Sequence, residues 1–235
     1  MTQSIPIGRG QDRPRLLDLF CCAGGAGAGY DAAGFDVDGV DIVHRPRYPF
    51  RFRQGDAVEH LAALIASGEI ERYTFVHASP PCQAYCAITK GTHRDRENNH
   101  PRLYEPVRDL LAQTQVPYVI ENPAARPDVV LCGQMFGLGV LRHRNFETGN
   151  WFTLAIPHVK HRGRVRGWRH GAYFEGPYIA AYGKGGGKGE VPEIQAAMGI
   201  TWTDVRDELT EAIPPAYTEW IGRAFLDSRT QEVAA

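Results

Sequence analysis

The stretch RLLDLFCCAGGAGAGYDAAGF, residues 15–35, decides the fold. Arg15–Phe20 is a short apolar run of strand length with a carboxylate, Asp18, set inside it. A glycine-rich turn follows, then a segment that reads as helix through Ala33, then a second strand over Phe35–Asp41. Strand, glycine turn, helix and strand in that order open a βαβ unit, which joins parallel strands.

The alternation continues outward from this stretch. Val58, Leu61, Ala62 and Ile65 give Ala57–Ser67 a helical period. Tyr73–Ala78 reads as a strand stopped by Pro80-Pro81, Pro101–Gln113 as a helix, and Pro117–Glu121 as a further strand. An Arg-rich hairpin precedes Gly55-Asp56. The expected fold is α/β: a Rossmann-like domain with a mostly parallel sheet. After Phe146 the pattern changes. Residues 151–190 are rich in glycine, arginine, histidine and aromatics, end in the run GKGGGKG (183–189), and show no helical period. Helical spacing returns at Pro192–Met198, Asp204–Glu211 and Tyr217–Leu226. The expected organisation is a flexible arm (1–13), a catalytic and cofactor-binding domain (14–150), a loop-rich insert (151–190), a return to the main domain (191–226) and a frayed tail (227–235).

A chain of 235 residues with 43% apolar content suits one such domain with a small appendage. No apolar run approaches the roughly 18–20 residues of a membrane span, and the first residues lack a signal-peptide core, so a cytoplasmic protein away from membranes is expected. Five cysteines with no CxxC pair favour free thiols over disulfides, and no metal is expected. The net charge of −1 hides a local imbalance. Between Arg142 and Gly171 stand seven basic residues (Arg142, Arg144, Lys160, Arg162, Arg164, Arg166, Arg169) against one acid, Glu147. Histidines and Trp151 and Trp168 are interleaved with them. Such a stretch in a neutral chain is either a solvated basic loop or a footprint for a polyanion.

Ligands of open parallel sheets bind beyond the carboxyl ends of the strands. The chemically distinctive residues fall there. Asp18 and the Gly24-Gly25 turn follow the first strand; glycine there lets backbone approach a ligand. Asp41 ends the second strand and offers a carboxylate for ribose hydroxyls, and Asp56 offers another acceptor nearby. Cys82 stands in SPPCQAYC (79–86), a turn stiffened by two prolines. Glu121 ends the apolar strand VPYVI in Glu-Asn-Pro (121–123), where burial would raise its pKa and suit it to proton donation.

With DLFCCAGGAGAGYDAAGF, GDA, SPPCQ, ENP and RHRNF in this order and spacing, the chain resembles the DNA cytosine C5-methyltransferases over about residues 15–146, and more weakly over 198–225. The Pro-Cys-Gln turn is the most specific element; amino-methyltransferases of similar fold carry a different turn there. The resemblance implies transfer of a methyl group from S-adenosyl-L-methionine to C5 of a flipped cytosine in double-stranded DNA, with Cys82 as nucleophile. Glu121 would hold and protonate N3, Arg144 would grip O2, and Asn122 would brace the Cys82 loop. Asp18, Phe20, Gly24, Gly25, Asp41, Ile42, Asp56, Ala57 and Pro81 would form the cofactor pocket, Phe20 against the adenine. Gln83, Lys90, Arg94, Arg142, Arg162, Arg164, Arg166, Arg169 and Lys184 would meet nucleic acid, Arg142 at a phosphate. Residues 84–101 would close over the base, and 151–190 would read the target.

The chain departs from the resembled pattern in four places. Cys22 stands where glycine is usual, Val140 where a glutamine opens the Arg-x-Arg motif, Pro123 where valine follows Glu-Asn, and Glu211 where an asparagine borders the cofactor. Three alternatives stay open: an RNA acceptor, a modified cofactor, and a non-catalytic DNA-binding relative. A cognate restriction enzyme also stays open as a companion.

Overall fold

The computed structural model of the protein describes residues 13–85, 101–151, 153, 156–181 and 189–234. Within them, β1 (Arg15–Leu19) leads to α1 (Gly25–Ala33), β2 (Asp36–Asp41), β3 (Arg51–Gln54), α2 (Ala57–Ser67), β4 (Phe75–Ala78), α3 (Tyr104–Leu111) and β5 (Tyr118–Glu121). Two more strands, β6 (Val129–Leu131) and β7 (Arg144–Gly149), complete a seven-stranded sheet in the order β3-β2-β1-β4-β5-β7-β6. The first five in that order are parallel; β7 runs antiparallel to both its neighbours. A separate ribbon, β8 (Gly167–Arg169) with β9 (Ala172–Phe174), is followed by α4 (Val191–Met198), α5 (Arg206–Glu211) and α6 (Pro215–Ala234). The expected α/β class and mostly parallel sheet are found.

The period of two along each strand sorts the core into two faces. Leu17 and Leu19 of β1 join Val40, Val76, Ala78 and Ile120 under α2 and α3, which contribute Leu61, Leu64, Val107 and Leu111. Leu16 points the other way, with Val37, Phe75 and Val119, against Ala26 and Tyr30 of α1 and Tyr217, Ile221 and Phe225 of α6. Both faces are covered, so the central strands read as near-continuous apolar runs. A third cluster, Val140 with Ile179, Ile194, Met198, Ile200 and Leu209, fastens the end of the insert to α4 and α5.

The segment read as an Arg-rich hairpin is instead β3, a parallel edge strand. Arg51 is held there by Asp36 at 2.7 Å and by Asp38, so a strand with little apolar content is stabilised by ion pairs with β2. Helix α6 continues to Ala234, through residues expected to be a frayed tail. Among the described residues, no helix is long and apolar enough to cross a membrane.

Candidate active site and nucleic-acid interface

Asp18, Asp41, Cys82 and Glu121 stand at or just beyond the carboxyl ends of the parallel strands β1, β2, β4 and β5. Pro80 is buried, and its carbonyl accepts a hydrogen bond from Asn122 Nδ2 at 3.0 Å, which ties the Cys82 turn to the end of β5. The other side of the turn is fixed as well. Tyr85 N–H donates to the Cys82 carbonyl at 2.9 Å, and the Tyr85 hydroxyl bonds to Glu105 of α3. Cys82 is half-buried.

Glu121 is 8% exposed. Burial pushes its carboxyl pKa up, while the guanidinium groups of Arg144 and Arg142 pull it partly back. Arg144 opens β7, whose antiparallel pairing sets Phe146 opposite Glu121. Its Nε lies 3.2 Å from Glu121 Oε1, close enough for an ion pair but not aligned as a hydrogen bond. Burial and the neighbouring Arg144 depress Arg142 to about 9; Glu121, Tyr217 and Cys82 act in the opposite sense. Cys82, Glu121 and Arg144 are thus all felt electrostatically by the buried Arg142 guanidinium.

Arg142, expected at a phosphate, is turned inward. It is buried, and its terminal nitrogens donate to the carbonyls of Ala181 and, at 2.6 Å, Thr210. Tyr217 donates to the Arg142 carbonyl at 2.5 Å. The side chain clips the end of the insert to α5.

At the cofactor end, Asp41 is nearly enclosed. It accepts from Cys22 N at 2.9 Å and Val43 N at 2.8 Å, and Arg45 approaches to 3.4 Å. Ile42 beside it is 66% exposed and Val43 51%, so apolar surface flanks the carboxylate. Asp18 is fully buried; one oxygen accepts from Tyr48 at 3.2 Å, and Oδ1 has no partner among the described residues. Burial and the nearby Asp41 raise Asp18 to about 7, against the pull of Tyr48 and the Gly27 amide. Phe20 packs on the edge of the core with φ 62°, and Cys22 has φ 46°. The left-handed backbone at Cys22 is the conformation glycine adopts most cheaply.

Several expected cofactor contacts take another form. A Cβ on Gly25 would lie 2.3 Å from the Ile213 carbonyl, so the close approach there is made by the chain's own 212–213 segment. Asp56 caps α2, its Oδ1 accepting from Val58 N and Glu59 N. The Ala57 methyl lies in the core; only its backbone could serve a ligand. Gly24, with φ 83°, directly precedes α1 as its N-cap, and Pro81 is half-buried at the Cys82 turn.

Two of the four departures meet in space: Cys22 Sγ lies 3.8 Å from Glu211 Oε2. Val140 is buried and bridges Ile179, which explains an apolar residue at that position. Tyr48 escaped the sequence reading. Its ring fills the space above Gly39, where a Cβ would meet it at 2.3 Å; the aromatics in RPRYPF were its only signal.

The insert presents an exposed strip of Lys160, Arg162, Arg164 and Trp168. Trp168 is 68% exposed and meets Tyr173 edge-on at the ribbon, while Arg164 stacks over Phe174 at 5.1 Å. Arg166 is paired with Glu193 at 2.5 Å and is less available. Gln83 is exposed. Glu147, the acid in this stretch, points elsewhere, to Arg108 at 2.6 Å and Tyr104. Lys90, Arg94, Lys184, the Arg169 side chain and nearly all of the expected closing loop lie outside the described residues.

No protein-family model matches the chain. It is 30% identical over 145 residues to the type II methyltransferase M.XorII of Xanthomonas oryzae pv. oryzae, across 57% of this chain and 31% of that protein. The chain thus spans under a third of that relative's length. Among solved structures it is similar to an E. coli prophage protein described as a DNA modification methyltransferase, with a TM-score of 0.57 and 14% identity over 91% of this chain and 99% of that one. It is also similar to the S. pombe Dnmt2 methyltransferase, with a TM-score of 0.56 and 13% identity over 92% and 99%. At this identity the structural likeness concerns the fold: the chain shares the Rossmann-like α/β fold of these two methyltransferase structures.

Proposed function

We propose that the protein is a DNA cytosine C5-methyltransferase working through a covalent Cys82 adduct. The observation that carries this reading is a cysteine on a rigid Pro-Pro turn, braced by Asn122 and grouped with a buried glutamate and two arginines. The sequence likeness to M.XorII supports it.

The residues at the ends of β1 and β2 suit S-adenosylmethionine. Asp18 and Asp41 offer negative charge to a cationic ligand, Asp18 Oδ1 has no hydrogen-bond partner among the described residues, and Ile42 offers apolar surface to an adenine. When bound, this cofactor supplies a sulfonium-borne methyl group. The chain's residues prepare the acceptor. The Cys82 thiolate forms a bond to C6 of an extruded cytosine as Glu121 gives a proton to N3, and C5 gains enamine character. The raised pKa of Glu121 suits that donation. Arg144 approaches the same ring and fits O2. Once C5 is substituted, a water or hydroxide takes its proton, the C6–S bond breaks to release the Cys82 thiolate, and N3 returns its proton to Glu121, which restores the aromatic ring and the starting state of both side chains. The organisation proposed is a main domain over 14–150 and 191–226 with a target-reading insert over 151–190.

The test offers labelled cofactor to duplex DNA and to tRNA, side by side. Label at C5 of duplex cytosine is expected, with covalent trapping on 5-fluorocytosine duplex. Cys82→Ala should lose trapping and at least ~1,000-fold in transfer while keeping DNA binding. Glu121→Gln should lose a similar share and remove the alkaline limb caused by Glu121 deprotonation. Preferential labelling of tRNA would move the acceptor to RNA. Full activity of Cys82→Ala would refute the covalent step.

A further inference from the structure

Four side chains that take no part in the chemistry above converge beside β6 and β7. Cys132 directly follows β6, His143 directly precedes β7, and His158 and His161 lie at the start of the insert. One ligand atom from each lies within 4.8 Å of all the others. Cys132 Sγ is 3.4 Å from His161 Nε2, and His143 Nε2 is 2.9 Å from His158 Nε2. The three imidazole rings stand 4.9, 5.1 and 5.0 Å apart in pairs.

A tetrahedral zinc ion at ordinary bond lengths sets its ligand atoms roughly 3.3–3.6 Å apart. The four groups are within small side-chain rotations of that spacing. We propose that Cys132, His143, His158 and His161 bind one zinc ion, which staples the insert to the edge of the catalytic sheet. One thiolate and three imidazoles form a borderline-soft donor set that suits zinc, and four protein ligands make a closed, structural site rather than a catalytic one.

The protein scaffold holds the ligands near one another without an ion. Gln134, two residues after Cys132, donates to the Lys160 carbonyl at 2.9 Å and accepts from Arg162 N at 2.6 Å, gripping both sides of His161. His143 and His158 are exposed, which gives an ion a path in, while buried Cys132 anchors the inner side. His143 lies between Arg142 and Arg144, so the staple would fix the exposed strip at Lys160, Arg162 and Arg164 relative to the Cys82–Glu121 group. The expectation of no metal rested on the missing CxxC pair. Only folding brings residues 132 and 143 to the His158/His161 pair. The site stands on its own residues, independently of the methyl-transfer reading.

Tag-free protein from zinc-supplemented growth is analysed for metal, then exchanged with cobalt(II). About one zinc per chain is expected, and the cobalt form should show intense tetrahedral visible bands with a thiolate-to-cobalt charge-transfer band. Cys132→Ser should remove the charge-transfer band. His158→Ala, at an exposed position, should weaken metal binding at least ~10-fold with an unchanged circular-dichroism spectrum. Folded wild-type protein without the tetrahedral cobalt spectrum would overturn the site. So would full zinc retention in both variants.

Discussion

The side-chain amide of Asn122 donates across 3.0 Å to the Pro80 carbonyl, so the residue after Glu121 holds the turn that presents Cys82. The Cys82 turn and the end of β5 are therefore tied to each other. Asn122→Ala removes this bond and leaves the buried Pro80 carbonyl without its donor. A stability loss of about 1–3 kcal/mol is expected in urea unfolding. Methyl transfer should fall about 10–100-fold in kcat, with little change in KM for DNA, because the loss is one of positioning. An unchanged kcat would show that the brace has no part in catalysis.

Asp18 gives the fold a pH dependence. Its folded-state pKa, about 7, lies above the ordinary 3.8. The folded protein binds this proton more tightly than the unfolded chain does. The stabilisation is fully present below about pH 4 and is lost as pH rises to about 7. The wild type should lose on the order of 3 kcal/mol relative to Asp18→Asn across that window. Urea midpoints at pH 4.5 and 7.5 for both proteins check it; parallel shifts would refute the assignment. A cationic cofactor should favour the carboxylate, so S-adenosylmethionine affinity should rise with pH through this range and release protons on binding.

Arg142 and the exposed strip should separate in salt titrations of DNA binding. Arg142→Lys breaks at least one of the buried bonds to Ala181 and Thr210 and should cost about 1.5–3 kcal/mol of stability. Its effect on the slope of binding against salt should be small. Arg164→Ala or Lys160→Ala should lower that slope by about 1 each while leaving stability nearly unchanged. A reduced slope for Arg142→Lys would restore a phosphate role to it.

Cys22→Gly should stabilise the protein. A side chain at φ 46° costs roughly 1–2 kcal/mol, and glycine's extra freedom in the unfolded chain costs roughly 0.5–1. The net gain is about 0–1.5 kcal/mol, or a rise of up to about 6 °C in Tm for a chain of this size. A lower Tm would mean that the contact of Cys22 with Glu211 contributes more than the strain removes.

Much of the architecture was legible because local period and turn chemistry encode it. Leu16, Leu17 and Leu19 mark a buried strand, Val58, Leu61 and Ile65 give α2 its period, and Pro80-Pro81 ends a strand, whereas Asp56, read as a ligand acceptor, caps α2. By itself the sequence determined the βαβ alternation and the placement of Asp18, Asp41, Cys82 and Glu121 at strand ends. It did not disclose the antiparallel β7, the burial of Arg142 against Ala181 and Thr210, the meeting of Cys22 with Glu211, or the Cys132–histidine cluster. Each of these depends on contacts between residues far apart in the chain. Hydrophobic period constrains which face a side chain takes, whereas only the packed tertiary structure decides which distant group it meets.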